Sequence, residues 1–450
     1  MILDSWGRYP RAIATVLEPL DGPALRRLLK AHASEGKIIP RGAGRSYGDS
    51  ALADLVMSSR FLDSFLSLDS DNGIIHCGAG VSLDAVLRIA ILNQLFVPVL
   101  PGSKFVTVGG AIAADVHGKN HHIAGSFCDH LVGFNLLLSS GEAVYCSESE
   151  NTDLFHASCG GMGLTGIILD AKLKLQNVPG VFINRQSIVS ENLVSTFEIL
   201  EENNTSTYSV AWLDCLAQGE SLGRSIIFLG NHASNPKFEI NIRRGINVPA
   251  TTPSFLLNKY SMSLFNSSYF NFKKLLHKSD TVDYDSYFFP LDNIGNWNRL
   301  YGRNGFLQYQ FVVPSETALK SITEVLEKVS AAGKGSFLSV LKKFGKANKN
   351  WLSFPQEGYT LTLDFKREKS LFPLLDKLDE IILKHGGRLY LAKDARMAES
   401  TFKQSYPNWE KFLELKKSID PENIFGSLQS DRIGLTGEKD RKKNKDGKKA

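Results

Sequence analysis

Residues 41–48 read Arg-Gly-Ala-Gly-Arg-Ser-Tyr-Gly and follow a short apolar run, Lys37-Ile38-Ile39-Pro40. A strand that runs into a glycine-rich turn can hold a pyrophosphate through its backbone N–H groups. The stretch is not a Rossmann dinucleotide-binding fingerprint, because the glycine spacing differs and no long helix follows. Taken alone, it predicts either a phosphate-binding turn or a plain glycine-rich turn.

Three further runs of small residues follow in the same part of the chain, where residues 36–166 hold 18 of the 38 glycines. The runs are PGSKFVTVGGAIAA at 101–114, HGKNHH at 117–122 and CGGMGLTGII at 159–168. Glycine lets a backbone approach a ligand closely, although tight core packing explains any single run equally well. Their clustering predicts a cofactor lobe, followed by a more aromatic and polar substrate lobe.

Composition and charge exclude several classes of protein. With 450 residues, 43% of them hydrophobic and 22% charged, the chain is an ordinary globular protein of two or three structural units. Residues 432–450 hold eight Lys/Arg and three Asp/Glu and so account for the whole net charge of +5. The neutral body gives no reason to expect nucleic acid. The tail, 432–450, is predicted to be disordered.

The cysteines and histidines give no metal or disulfide framework. The five cysteines are scattered without a CxxC pair, which fits a reducing compartment. His117 and His121 have the spacing of a helical zinc site, but Gly118 disfavours a helix there. No apolar stretch approaches the roughly 20 residues of a membrane span. The sequence therefore predicts a cytoplasmic protein, with peripheral contact at the inner membrane face as a second option through the basic tail.

Patterning predicts several elements of secondary structure. In the first lobe we expect a helix from Gly22, a helix capped by Ser82 and a hairpin over Leu131–Cys146. The second lobe should contain strands at Ser209–Leu213, Gly305–Val313 and Tyr359–Phe365, together with two helices, each followed by a strand that leads to a lysine, Lys342 or Lys393. The polar stretches 231–258 and 346–357 are predicted to be mobile loops that form a lid.

In this order, the glycine-rich runs resemble the vanillyl-alcohol-oxidase type of FAD-binding fold. Within that superfamily they resemble the decaprenylphosphoryl-β-D-ribose 2-oxidase family, over about residues 5–428. The motifs that carry the resemblance are RSYGD at 45–49, PVLPG at 98–102, VTVGGAIA at 106–113, HGKNHH at 117–122, AGSF at 124–127, NWNR at 296–299, GFLQYQF at 305–311, LSFP at 352–355 and GRLYLAKD at 387–394.

The resemblance implies an α+β fold with two lobes. A PCMH-type FAD-binding domain would occupy residues 1–178. A substrate domain over 179–390 would be built on an antiparallel sheet flanked by helices, and residues 391–431 would return to the FAD lobe.

The resemblance also implies an activity. Members oxidise the ribose 2-hydroxyl of a polyprenylphosphoryl-β-D-ribose to the 2-keto sugar, using FAD. This is the first half of 2-epimerisation to the arabinose form for cell-envelope glycans. It implies a separate NAD(P)H-dependent ketoreductase and a quinone-like electron acceptor. Many superfamily members bond FAD to a histidine after Gly-x-Gly, and here Arg45 holds that place. We therefore expect non-covalent FAD.

The resemblance assigns roles to individual residues. It places Lys393, His117, Tyr47 and Gln310 in the catalytic group. It assigns FAD contacts to Arg41, Gly42, Ala43, Gly44, Arg45, Ser46, Tyr47, Gly48, Gly102, Ser103, Thr107, Val108, Gly109, Gly110, Ala114, His117, Gly118, Lys119, Asn120, Gly166, Ile167 and Tyr390. It assigns substrate contacts to Lys342, Gln308, Gln310, Tyr301, Thr360, Thr362 and Lys393.

Two of these positions depart from the family pattern. Thr362 stands where the best-known members have a cysteine beside the flavin, and Thr360 replaces an amide side chain. Gln308 and Gln310 share a strand face by the two-residue period. This predicts either buried hydrogen bonds to the sugar or its phosphate, or a ladder of side chains across neighbouring strands.

Three other functions remain open. One is FAD-dependent oxidation of another sugar, an alditol or an aldonolactone, against which Arg45 and the 308–310 motif count. Another is a non-catalytic flavin or lipid-phosphate binding module, which the presence of Lys393 and His117 disfavours. A zinc hydrolase built on the histidine cluster is the most distant alternative.

Overall fold

The computed structural model describes residues 1–240, 245–276 and 279–437 of the chain. It contains two lobes with a cavity between them. No helix in these ranges is long and apolar enough to cross a membrane.

The first lobe is built on two sheets, a parallel sheet of order β3-β5-β4 and an antiparallel sheet of order β10-β9-β11-β7-β6. Its strands are β1 (Ile2–Asp4), β2 (Arg11–Ile13), β3 (Thr15–Leu17), β4 (Ile38–Arg41), β5 (Leu55–Ser58), β6 (Phe65–Asp69), β7 (Ile74–Gly78), β8 (Leu95–Phe96), β9 (Leu131–Leu137), β10 (Ala143–Cys146), β11 (Ile167–Lys174) and β12 (Gln176–Asn177). Its helices are α1 (Gly22–His32), α2 (Leu83–Leu92), α3 (Val108–Ala113), α4 (His121–Ala124) and α5 (Thr152–Ser158).

Local signals account for these elements. The Asp21 side chain caps α1 by accepting a hydrogen bond from the N–H of Ala24 at 2.6 Å. Ser82 caps α2 in the same way through the N–H of Ala85. The predicted hairpin is confirmed, because β9 and β10 pair antiparallel with Leu137 opposite Ala143.

The second lobe is built on one eight-stranded antiparallel sheet of order β17-β13-β15-β14-β20-β21-β19-β22. Its strands and the short parallel pair beside it are β13 (Phe182–Ser190), β14 (Tyr208–Leu213), β15 (Ser225–His232), β16 (Ile246–Asn247), β17 (Ser279–Asp283), β18 (Ile294–Gly295), β19 (Phe306–Val313), β20 (Ser339–Phe344), β21 (Gly358–Lys366) and β22 (Arg388–Leu389). The remaining helices are α6 (Leu193–Glu202), α7 (Lys259–Leu275), α8 (Tyr284–Phe288), α9 (Ser315–Ala331), α10 (Leu371–Lys384), α11 (Glu399–Ser405), α12 (Trp409–Ile419) and α13 (Leu428–Arg432). The α+β fold class and the three predicted strands are confirmed.

The two faces of this sheet serve different purposes. Along β19, Leu307, Tyr309 and Phe311 pack into the hydrophobic core that also contains apolar residues of α9 and α10. The intervening residues Gln308 and Gln310 point to the cavity on the other face. The alternation of the strand therefore fixes which side chains reach the cavity.

The predicted helix–strand repeat is present in an interleaved form. Helix α9 lies between β19 and β20, and α10 lies between β21 and β22. In the sheet, β20 and β22 flank the central pair β21-β19. The first unit brings Lys342 to the cavity from β20, and the second brings Lys393 from the turn that follows β22.

The chain then returns to the first lobe, where Phe425 forms a bridge with Ile38 of β4. The ordered part extends further than we expected. Arg432 pairs with Asp49 at 2.6 Å and with Asp394 at 2.9 Å, and Ile433 is buried. Disorder predicted from residue 432 is therefore wrong for 432–437, because an ion pair and apolar burial hold this segment. Residues 438–450 lie outside the described residues.

The predicted lid at 346–357 is also wrong. The buried carboxylate of Asp115 accepts hydrogen bonds from Asn348 Nδ2 at 2.8 Å, Asn350 Nδ2 at 3.1 Å and Ser353 Oγ at 2.6 Å, and from the N–H of Cys128 at 3.0 Å. Polar side chains in this segment face inward to a buried charge rather than outward to water. The other predicted loop, 231–258, includes β16 and contains 241–244, which lie outside the described residues.

Asp115→Asn should lower the free energy of unfolding by about 2–3 kcal/mol, because a hydrogen bond to a charged acceptor contributes about 1.5–3 kcal/mol and the amide presents a donor to other donors. Urea unfolding of the FAD-loaded protein measures this. Asp69→Asn is the matched control, since Asp69 is an exposed carboxylate that also accepts two hydrogen bonds, both from Asn72. Equal unfolding midpoints for the two variants would contradict the role of Asp115.

Candidate active site

A cavity of about 1000 Å³ lies between the two lobes. The glycine-rich turn after β4, the segment from Leu100 through α3 to Lys119, and residues 162–168 form its wall on the first lobe. Strands β14, β15, β19, β20 and β21 form the wall on the second lobe, and the segment Leu256–Tyr269 lies at one end. All four of the small-residue runs found in the sequence contribute to this one cavity.

The glycine-rich turn offers an unsatisfied row of donors. In the described part of the chain, the backbone N–H groups of residues 42–46 form no hydrogen bond. A Cβ atom on Gly42 would lie 2.2 Å from Thr107 Oγ1, so only glycine lets the turn pack against the start of α3. Consecutive free amides beside a cavity are a typical anion-binding arrangement.

His117 offers a second free donor. Its Nε2 lies 3.0 Å from Gln310 Nε2, whose other neighbour is Thr360 Oγ1 at 3.2 Å. The Gln310 amide thus donates to His117, and the proton of the neutral ring lies on Nδ1. Burial, followed by the nearby positive charge of Lys342, holds the pKa of His117 well below its usual value. His117 Nδ1 is buried without a partner among the described residues, so it is available to a bound group.

Most of the predicted site residues line this cavity. They are Arg41, Gly42, Ala43, Gly44, Arg45, Ser46, Tyr47, Gly102, Ser103, Thr107, Gly109, Gly110, Ala114, His117, Gly118, Lys119, Gly166, Ile167, Gln308, Gln310, Lys342, Thr362, Tyr390 and Lys393.

Three residues predicted to contact the cofactor lie behind the wall. Gly48 packs so closely on the backbone of Asp394 that a Cβ atom would lie 1.6 Å from its carbonyl oxygen. Val108 is buried in the core of the first lobe. The amide of Asn120 donates to the carbonyl of Pro98 at 2.8 Å. Their contribution is to hold the wall in shape.

Two residues predicted to contact substrate also lie behind the wall. Tyr301 is fully buried and stacks on Phe306, with ring centroids 4.4 Å apart. Thr360 is fully buried as well and accepts a hydrogen bond from Gln310. Thr360 therefore acts through Gln310 in this arrangement, whereas Thr362, two residues further along β21, reaches the cavity.

Three lysines face the cavity, and burial lowers the pKa of each. The pKa of Lys342 falls to about 8, and that of Lys119 falls to about 7 through burial and then through the charge of Lys342. Lys119 donates to the carbonyl of Tyr287. The ammonium of Lys393 lies 3.9 Å from the centroid of the Tyr47 ring, and burial lowers its pKa too. In the described ranges, neither Lys342 nor Lys393 forms a hydrogen bond or an ion pair within 4.0 Å.

Asp364 is the site residue that the sequence reasoning missed. It is buried, and its Oδ1 accepts a hydrogen bond from Gln308 Nε2 at 2.5 Å. Burial raises its pKa, while its charge raises the pKa of Lys393. Its other carboxylate oxygen has no hydrogen-bond partner among the described residues. In the antiparallel pair of β19 and β21, Asp364 lies opposite Gln308 and Thr362 lies opposite Gln310. Because residues two apart share a strand face, the position of Thr362 would have revealed Asp364.

The histidine cluster forms no metal site in the described part of the chain. His117 turns to Gln310, His121 Nδ1 accepts from the N–H of Gly345 at 3.1 Å, and His122 Nε2 lies 2.9 Å from the carbonyl of Ser206. The three rings diverge because each one has its own partner.

Known proteins match both lobes. Residues 13–147 match the family model of the FAD binding domain, and residues 306–433 match that of D-arabinono-1,4-lactone oxidase. The chain is 36% identical to decaprenylphosphoryl-β-D-ribose oxidase of Mycolicibacterium smegmatis, over 96% of this chain and 97% of that protein. The chain belongs to the decaprenylphosphoryl-β-D-ribose oxidase family.

Other relatives share a lower sequence identity with this chain. An uncharacterized protein of Streptomyces coelicolor is 32% identical over 79% of this chain and 100% of its own length. L-gulono-1,4-lactone dehydrogenase of Mycobacterium tuberculosis is 20% identical over 93% of this chain and 96% of its own length. These matches show that the chain is an FAD-dependent oxidoreductase that acts on CH–OH groups. They also confirm the PCMH-type two-domain fold expected from the motifs.

The observed wall fits FAD. The free amides of residues 42–46 suit the pyrophosphate, and the small residues of 109–114 leave room for a flat ring system. The free Nδ1 of His117 is a donor within reach of the same space. The side chain at the position of the superfamily's tethering histidine, Arg45, stacks on Trp6 with its guanidinium 4.3 Å from the ring centroid.

Lys393→Ala should retain FAD but slow single-turnover reduction of the flavin by the alcohol substrate about 100- to 1000-fold. The reason is that the variant loses one preorganised charge at the site of reaction. Stopped-flow absorbance of the anaerobic protein measures the rate. Lys384→Ala, at a largely exposed lysine of α10, is the control. A Lys393→Ala variant that reduces its flavin at the control's rate would rule out this role.

Asp364→Asn should move the alkaline limb of the same reduction rate to lower pH. The carboxylate raises the pKa of Lys393, so its removal lets the ammonium lose its proton at a lower pH. The measurement is the pH profile of single-turnover reduction. Asp153→Asn, at an exposed and distant carboxylate, should leave the profile in place. A limb that moves upward or stays fixed in Asp364→Asn contradicts the coupling.

Proposed function

We propose that this oxidase removes two electrons from the 2-position of a polyprenylphosphoryl-β-D-ribose and gives the 2-keto sugar. The observation that carries the proposal is that three kinds of surface line one cavity. They are the FAD wall, the group of Lys119, Lys342 and Lys393, and an apolar region. A substrate with a sugar, a phosphate and a long hydrocarbon tail carries chemical groups that match these surfaces.

The lysines supply the phosphate site in this proposal. A buried ammonium without an acceptor is costly, and a phosphate anion removes that cost by accepting its hydrogen bonds. Among the described residues that line the cavity, Asp292 is the only one with a carboxylate. It accepts a hydrogen bond from the backbone N–H of Lys104 at 2.8 Å. Burial raises the pKa of Asp292, and the nearby charge of Arg45 opposes that shift. Lys342 and Lys393 are thus left for an external anion.

The apolar region supplies the site for the start of the tail. Trp212 and Phe228 come from the sheet, Met262 and Phe265 come from α7, and Leu338 is the residue before β20. Hydrocarbon buried here contributes about 25 cal/mol for each Å² removed from water. A free pentose or a lactone has nothing to place against these side chains.

Oxidation of a secondary alcohol removes a hydride, which FAD accepts when bound, and a hydroxyl proton. We infer that Lys393 guides the alcohol oxygen, because its lowered pKa lets the side chain hold or release a proton near neutral pH. Gln310 holds His117 neutral, with its Nδ1 proton directed away from Gln310. Tyr47 supports the ammonium of Lys393 through its ring.

The reaction sequence implies partners by chemical class. A 2-keto sugar becomes the arabinose epimer only after a hydride is returned to the other face, so a separate NAD(P)H-dependent ketoreductase must consume the product. The reduced cofactor needs an acceptor, for which we propose a quinone-like carrier.

Non-covalent FAD is also part of the proposal, supported by Arg45 and by a cavity wall without cysteine among the described residues.

Anaerobic addition of a polyprenylphosphoryl ribose should bleach the oxidised flavin absorbance within one turnover. L-gulono-1,4-lactone and an unphosphorylated alkyl riboside should bleach it far more slowly at equal concentration.

Lys342→Met should raise the phosphorylated substrate concentration needed for half-maximal rate and leave the response to the alkyl riboside unchanged. These differences follow from the loss of one charge-assisted hydrogen bond to phosphate.

Faster bleaching by the lactone would replace the proposal with aldonolactone oxidation, the second candidate, which the match of residues 306–433 supports. Acid precipitation completes the experiment. Flavin that remains with the precipitated protein would contradict non-covalent binding.

A further inference from the structure

A helix beside the cavity carries apolar side chains on the side that faces water. Helix α7 buries Met262, Asn266 and Phe270, and Phe270 packs on Trp212 and Ile226 of the sheet. The opposite side exposes Tyr260 by 84%, Leu264 by 71%, Phe272 by 58% and Leu275 by 83%. A helix in a soluble domain usually places polar residues there.

Four of these side chains lie on one side of the helix. At about 100° per residue, Tyr260, Leu264, Phe272 and Leu275 project within about 120° of one another, and Leu276 follows the last helical residue. Phe255, in the turn before the helix, is 73% exposed and extends the same segment. We call Phe255, Tyr260, Leu264, Phe272, Leu275 and Leu276 the α7 face. Contiguous exposed apolar residues of this kind mark an interaction surface.

The charge around the α7 face has one sign. Residues 245–276 contain no Asp or Glu but three lysines, Lys259, Lys273 and Lys274. Over 237–278 the sequence holds seven Lys/Arg and one Asp/Glu. Residues 1–431 as a whole are neutral, so this segment is a local basic excess. Apolar side chains flanked by lysines are typical of helices that lie in the interface of an anionic bilayer.

The cavity reaches the same helix. Leu256, Leu257, Met262, Phe265 and Tyr269 line it, and Leu256 and Phe265 are each about half exposed. The inner side of this segment thus faces the cavity, while its outer side carries the α7 face. A hydrocarbon chain that leaves the cavity here emerges next to the exposed apolar residues.

We propose that the α7 face docks on an anionic lipid bilayer, with its apolar side chains inserted among the lipids, and that the substrate's tail passes between bilayer and cavity at this helix. The second half of this inference rests on the proposed function. A second copy of the chain is the other occupant that an apolar face can have. The basic excess disfavours it, because two such faces would repel each other across a symmetric contact.

Vesicle sedimentation of the FAD-loaded full-length protein tests the docking. The vesicles are equimolar phosphatidylglycerol and phosphatidylcholine, or phosphatidylcholine alone. We expect salt-sensitive binding that is stronger to the anionic vesicles. Leu264→Glu and Phe272→Glu should each weaken it about tenfold, because each removes one inserted apolar side chain. Neither residue lines the cavity.

The matched control carries Ile13→Glu and Leu20→Glu, at residues that are 82% and 70% exposed in the first lobe. It should bind vesicles as the parent protein does. Equal binding by the control and by the α7 variants would overturn the proposal, as would failure of the parent to bind either vesicle. Analytical ultracentrifugation adds the remaining outcome: a dimer that Leu264→Glu dissociates would assign the face to a second copy instead.

Flavin reduction separates this inference from the proposed function. A short-chain, water-soluble polyprenylphosphoryl ribose should reduce the α7 variants as fast as the parent, whereas a long-chain substrate presented in vesicles should reduce them more slowly. A parent that binds vesicles but is reduced by neither substrate would contradict the proposed substrate and still support the docking surface. Equal reduction of parent and variants by the long-chain substrate would contradict passage of the tail at α7.

Discussion

The buried carboxylate of Asp115 is the constraint on which the arrangement of the two lobes depends. Asp115 belongs to the first lobe, and three of its four donors come from the segment between β20 and β21 of the second. A buried carboxylate must be compensated, so this segment is drawn inward. His117 follows two residues later and is packed against Phe344 and Phe354 of the second lobe. The same tie that joins the lobes therefore fixes one wall of the active site.

The electrostatics of the cavity depend on two lysines that have no carboxylate within ion-pair distance among the described residues. Lys342 reaches the cavity from the last strand of one strand–helix–strand unit, and Lys393 reaches it from the turn after the last strand of the other. Burial without an ion pair lowers the pKa of both. Asp364 adjusts Lys393 from behind the wall through its charge, while Gln308 holds Asp364 in place. Such a site favours an anionic ligand and keeps a lysine near its point of titration. Both properties suit oxidation of a phosphorylated sugar.

All four glycine-rich runs reach the cavity, because close backbone approach needs small residues in sequence and that requirement is local. The predicted contact residues that do not reach the cavity are ones whose position depends on distant neighbours. Tyr301 and Thr360 carry suitable polar groups, but one stacks on Phe306 and the other serves Gln310. Asp364 was missed although its strand was recognised. Its role depends on Lys393, which the chain reaches only after helix α10 and strand β22.

The sequence by itself determined the family, the cofactor, the alternation of β19 that directs Gln308 and Gln310 to one side, and the basic, apolar character of residues 245–276. Each of these is a property of neighbouring residues or of an ordered set of motifs. Only the tertiary structure decided that the segment 346–357 is buried, that residues 432–437 are ordered, and which lysines share one cavity. Those outcomes depend on contacts such as Asp115 with Ser353 and Arg432 with Asp49, which join residues hundreds of positions apart and leave no pattern along the chain.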